Sequence, residues 1–247
     1  MKKTGNVVIG NVVNENSKRV NVKNKKLDTD LWIIALASMV TFIAYGAFSK
    51  EIIAYTKNSD ISVWGRLALC AAFEYGIAGL GITIVCLLRK ESFASFGLKK
   101  ANSLKAILGT VIVFLPFIAF VVLTGQFDGY HPMTVLVSDD LFKAGLLPTI
   151  LGTGIIGVVW GFFEGFNYVV IAEKINRRYP TKFRFFDWGT LVSAIMCVLF
   201  HPFSTSVLGL IEIAVNFIAI YGMLQIYKKT QNAWGCVFAF IFIWNAL

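Results

Sequence analysis

The chain has 247 residues, 57% hydrophobic and 15% charged, with a formal net charge of +9. With a mean hydropathy of +0.69, it lacks the polar surface to cover a soluble globule of this size, which points to an integral membrane protein. Nucleic acid is not an expected partner, because the basic residues stand in blocks between apolar runs rather than along a groove with stacking aromatics.

In chain order, residues 1–30 read as a flexible basic cytoplasmic tail, carrying Lys2, Lys3, Lys18, Arg19, Lys23, Lys25 and Lys26. Its asparagines and lysines favour mobility, and its lysines attract anionic membrane lipids. The first apolar run has a basic lead-in of about 30 residues and no small-residue cleavage site, so it reads as a retained anchor rather than a signal peptide. Residues 31–247 then form one transmembrane helical domain. About seven runs approach the roughly 20 apolar residues that a spanning helix needs. They are 31–49, 64–88, 106–124, 146–172, 187–203, 206–227 and 233–247, with Pro202 ending the fifth. The expected architecture is all-α, a polytopic bundle with a polar cavity between its helices.

Charge sorts the connections. Basic blocks at Arg89–Lys105, Lys174–Arg184 and Lys228–Lys229 alternate with the stretch 125–145, where Asp128, Asp139 and Asp140 face Lys143 alone. The positive-inside rule then predicts a cytoplasmic N-terminus and an external C-terminus in the cell membrane. Cys70, Cys86, Cys197 and Cys236 all fall in apolar stretches without CxxC spacing and read as small buried hydrophobes.

Ionisable groups at membrane depth cost about 2.5–3.5 kcal/mol each at a helix centre, so they mark candidate sites. Glu74, Glu164, His201 and Glu212 are such groups, with Asn216 and Asn245 as polar companions. Gly157, Gly161 and Gly165 recur at four-residue spacing beside Glu164, admitting a second helix backbone and turning the carboxylate toward protein rather than lipid. Glu74, beside Gly76, Gly79 and Gly81, reads as a packing contact, and Tyr168 beside Asn167 as aromatic packing.

The segments "EGFNYVV", "CVLFHPF" and "WGCVFAFIFIWN", preceded by "FGLKKANSLKAILGTVI", resemble the CAAX prenyl protease and bacteriocin-processing (CPBP, or Abi) family of intramembrane endopeptidases. The resemblance covers about 93–247. It implies motifs Glu-Glu-x-x-x-Arg, Phe-x-x-x-His and His-x-x-x-Asn on successive helices, acting on a catalytic water, in some readings with a metal. Glu164, His201 and Asn245 match single positions of the three motifs. Gly165, Val169, Cys197 and Ile241 stand where the family has glutamate, arginine, phenylalanine and histidine.

The resemblance implies Glu164 as general base, with His201 and Asn245 as hydrogen-bond donors, Asn245 toward the oxyanion. Zinc is not favoured, since catalytic zinc takes three protein ligands plus water. A substituted set would draw on Glu164, His201, Cys197 and Glu212, and a histidine restored at Ile241 is expected to raise zinc retention or cleavage. Three functions follow: a weak endopeptidase acting on a membrane-anchored peptide, a catalytically silent relative binding a membrane peptide or protein, or a small transporter or channel using intramembrane Glu and His.

Overall fold

The computed structural model describes residues 4–201 and 204–247, with side chains from residue 19 onward. It is all-helical, without strands among the described residues. Helix α1 spans Thr4–Ala47 and α2 Ser49–Lys57. Helix α3 (Val63–Arg89) is followed by α4 (Ser103–Leu123), the short α5 (Ser138–Lys143) and α6 (Leu146–Arg178). Helices α7 (Trp188–Phe200), α8 (Val207–Thr230) and α9 (Trp234–Trp244) complete the chain.

Helices α3, α4, α6 and α8, together with Arg19–Ala47 of α1, are long and apolar enough to cross a membrane. The expected runs at 187–203 and 233–247 form α7 and α9, which fall short of that length, so five helices rather than seven meet the criterion among the described residues. Helix α7 ends at Phe200, and Pro202 lies outside the described residues.

Helix α6 is central, packed against α1, α7 and α9, while α4 packs against α8 and α9. The glycine series on α6 works as expected. A Cβ on Gly165 would lie 2.7 Å from the Cys236 carbonyl oxygen of α9, and one on Gly161 would overlap the Ile241 side chain. Without side chains at these two positions, α9 lies directly on α6.

Buried ion pairs fix the depth of α6 against its neighbours. The Lys174 ammonium donates to Asp30 Oδ2 at 2.9 Å and to Glu91, and Arg89 Nε donates to Asp30 Oδ1 at 2.6 Å. Arg178 Nε reaches Asp28 Oδ1 at 2.6 Å. These contacts alter the expected boundary at residue 31. The backbone is already helical from Thr4, and Leu27 and Asp30 are buried, so residues 19–30 continue the first helix instead of forming a free tail. Asp30 explains why: its side chain is 3% exposed and needs the cations that Arg89 of α3 and Lys174 of α6 supply, while Asp28 adds a more exposed pair with Arg178.

A second polar cluster ties α6, α7 and α8. Asp187 caps α7, its Oδ1 accepting from Thr190 N and Asn176 Nδ2, each at 2.7 Å. Its Oδ2 accepts from Lys228 Nζ at 3.0 Å and Gln225 Nε2 at 3.1 Å. Burial alone would raise the Asp187 carboxyl, but the bonds from Thr190, Lys228 and Asn176 outweigh it and hold the group below the usual carboxylate range.

Candidate functional site

Three helices widen locally to i→i+5 turns, at Tyr75–Gly79 in α3, Gly157–Phe163 in α6 and Phe240–Trp244 in α9. Each widened turn adjoins a polar residue: Glu74 precedes the first, Glu164 follows the second and Asn245 follows the third. Such turns are rare, concentrate at functional sites, and leave carbonyls open to side-chain donors. Two of these carbonyls are used here. Ile77 O accepts from Ser38 Oγ at 2.6 Å, and Trp160 O accepts from Asn245 Nδ2 at 3.0 Å.

A cavity of about 430 Å³ lies among α1, α2, α3, α6 and the C-terminal ends of α7 and α9. Glu74, Glu164, Asn167, Tyr168, His201 and Asn245 are its polar lining. Phe42, Tyr45, Phe73, Trp160 and Phe200 contribute aromatic walls. The α2 residues Ile52 and Thr56 place it toward the α1–α3 turn, the end of α6 away from Lys174.

Glu164, His201 and Asn245 meet at one wall. Asn245 Nδ2 donates to Glu164 Oε2 at 3.0 Å, and His201 Nε2 lies 3.6 Å from Glu164 Oε1. Glu164 is 7% exposed, so its carboxylate faces protein as the glycine spacing predicted.

The hydrogen-bond partners constrain the chemistry of each group. Trp160 O cannot donate, so the amide nitrogen of Asn245 must face it, and the two amide hydrogens are shared between Trp160 O and Glu164 Oε2. Asn245 therefore orients Glu164 and has no hydrogen left for an oxyanion, contrary to the role implied by the resemblance. His201 Nδ1 lies 2.7 Å from Cys197 O, which again can only accept, so Nδ1 carries the proton. In the neutral ring Nε2 is an acceptor, and Trp244 Nε1 donates to it at 3.3 Å. His201 accordingly accepts from Trp244 instead of acting as the expected donor toward the cavity.

Other expectations separate from the site. Cys197 is fully buried and contributes its carbonyl rather than its thiol, and Glu212 is absent from the cavity lining. Ile241 packs against Gly161, so the side chain at this position does not point into the cavity. Among the described residues, no group of three or more His, Cys, Asp or Glu side chains is arranged to hold a metal ion. Glu164 and His201 alone fall short of the three protein ligands that catalytic zinc takes, and among the described residues Cys197 and Glu212 are not brought to them as a substituted set.

Three residues take parts that the sequence did not assign them. Glu74 lines the cavity rather than serving only as a packing contact, and Asn167 lines it one helical turn after Glu164. Trp244 steadies His201 with its indole while stacking on Phe117 at 5.2 Å. Adjacency to Asn245 was the only sequence signal for Trp244. Tyr168 does pack aromatically, stacking on Phe240 at 5.6 Å, while also reaching the cavity.

Comparison with protein-family models, with curated proteins and with solved structures gives no match for this chain.

Proposed function

We propose that the chain is a divergent, metal-independent intramembrane endopeptidase of the CAAX-protease-like type, with Glu164 as general base and membrane-anchored peptide as substrate. The observation that supports this reading is the meeting of Glu164, His201 and Asn245 from three separate helices, at 3.0 and 3.6 Å. In this reading a water in front of Glu164 Oε1 gives its proton to that carboxylate while its oxygen adds to the scissile carbonyl carbon. Glu164 then returns the proton to the leaving nitrogen as the C–N bond breaks, yielding a carboxyl and an amine. His201, whose Nε2 accepts from Trp244 Nε1, borders the same water and fixes that side of the Glu164 pocket. Asn245 and Trp244 are positioning residues.

In the same proposal α7 and α9 enter the membrane with the five longer helices, the N-terminus is cytoplasmic and the C-terminus external. The basic ion cluster then marks the cytoplasmic end, and the cavity opens toward the outside. A reporter fused after Lys229 would report cytoplasm and one fused within 128–143 the outside; the reverse pattern would overturn the orientation.

A catalytically silent, peptide-binding relative is the second reading. One observation favours it: neither Asn245 nor neutral His201 has a hydrogen free for an oxyanion. Proteoliposomes given a mixture of membrane-anchored peptides, with products read by mass spectrometry, separate the readings. The endopeptidase reading expects cleavage that falls about 10²–10⁴-fold in Glu164→Gln. Intact peptide retained by both proteins supports the silent relative, and proton flux without cleavage would favour the transporter alternative.

A further inference from the structure

Among the described residues, Thr110, Asn167 and Asn216 each bury a side-chain oxygen without a hydrogen-bond partner, and of the three Asn167 lines the cavity. It is 6% exposed and lines the cavity with Glu164 and His201, and its Oδ1 has no hydrogen-bond partner among the described residues. Such a group is costly, because it loses water without gaining a partner. The neighbouring residues do not share this condition. Asn245 is fully engaged, and Asn176, at the other end of α6, spends its oxygen on Gly189 N and its nitrogen on Asp187. Helical spacing places Asn167 on the same face as Glu164, three residues later.

A carboxamide offers one acceptor and two donors, which complements the N–H and C=O of a secondary amide. We infer that Asn167 is the main-chain recognition residue of the cavity, pairing with a peptide amide of the ligand and holding it against Glu164. This inference deepens the endopeptidase reading and rests on it for the identity of the ligand as peptide. It also supplies the donor that the Glu164, His201 and Asn245 group lacks, since the Asn167 amide nitrogen can face a carbonyl oxygen brought to the Glu164 wall.

The test uses the full chain in detergent and a fluorescein-labelled, N-acylated apolar pentapeptide amide. It is compared with a depsipeptide series in which each main-chain N–H in turn is replaced by ester oxygen. Binding is measured in the Glu164→Gln background, so that cleavage does not intervene. One ester position is expected to weaken binding about tenfold, while Asn167→Leu binds that ester and the amide equally.

Thermal stability provides the independent readout. Asn167→Leu removes an unpartnered polar group and is expected to melt at or above the parent temperature, whereas a residue with only a structural role would lose stability on replacement. Asn167→Ala serves as the second variant if the leucine overfills the cavity. Undiminished ester discrimination in these variants would overturn the inference, as would a parent protein that binds no member of the series.

The outcomes separate the two proposals. Asn167-dependent discrimination by a protein that never cleaves would sink the endopeptidase reading and leave the inference standing. Cleavage by the wild type with discrimination indifferent to Asn167 would do the opposite.

Discussion

The ion cluster around Lys174 sets the height of α6, and with it the position of Glu164, so its removal is a direct test of how the bundle is held. Lys174 and Asp30 have side-chain exposures of 1% and 3%, and Glu91 of 27%. Lys174→Met leaves Asp30 with Arg89 alone and leaves Glu91 without its buried partner. Breaking a buried pair from one side costs about 3–5 kcal/mol, whereas replacing all its members with neutral groups is often close to neutral. At about 2–4 °C per kcal/mol for a chain of this size, Lys174→Met is expected to melt roughly 6–20 °C below wild type. The buried thiols of Cys86, Cys197 and Cys236 provide the assay, since a thiol-reactive fluorophore labels them as the bundle opens in detergent. Adding Asp30→Asn and Glu91→Gln to Lys174→Met is expected to recover most of the loss. A single variant within about 2 °C of wild type, or a triple variant no better than the single, would refute the reasoning.

Gly165→Leu places a side chain where a Cβ alone would stand 2.7 Å from the Cys236 carbonyl, so α9 must move and carry Asn245 from Glu164. It is expected to cost about 1–3 kcal/mol in melting experiments and to reduce cleavage as well. Ile241→His is expected to raise neither metal content nor cleavage, because position 241 faces Gly161; near-stoichiometric zinc by elemental analysis would contradict that placement. For Asp187, the folded-state pKa is depressed, so its ionic contribution is complete above the ordinary carboxylate value near 3.9 and is lost as pH falls through the lower folded value. The melting-temperature gap between wild type and Asp187→Asn should therefore be constant from about pH 5 to 8 and narrow below about pH 4.

Runs of about 20 apolar residues made the helices legible, and the glycine spacing beside Glu164 anticipated a close helix contact, which α9 makes at Gly161 and Gly165. Glu164, His201 and Asn245 were recognisable because polar groups at membrane depth need a reason to be there. Their hydrogen-bond directions were not recognisable, since the Trp160 and Cys197 carbonyls that orient Asn245 and His201 are set by backbone geometry. The widened turns were equally hidden, having no fixed residue signature: two contain glycines, while Phe240–Trp244 has none. The composition of residues 1–30 gave no sign that Asp28 and Asp30 would be paired within the bundle. Their partners, Arg178, Lys174 and Arg89, lie at least 59 residues away in sequence.

The most direct measurement for the proposed chemistry is single-turnover cleavage of a membrane-anchored peptide by wild-type proteoliposomes in water enriched in oxygen-18, after removal of metals with a chelator. The account predicts one heavy oxygen in the new carboxyl group, full activity without added metal, and loss of product in Glu164→Gln. Cleavage that stops on chelation and returns with zinc, or a Glu164→Gln variant as active as wild type, would contradict it.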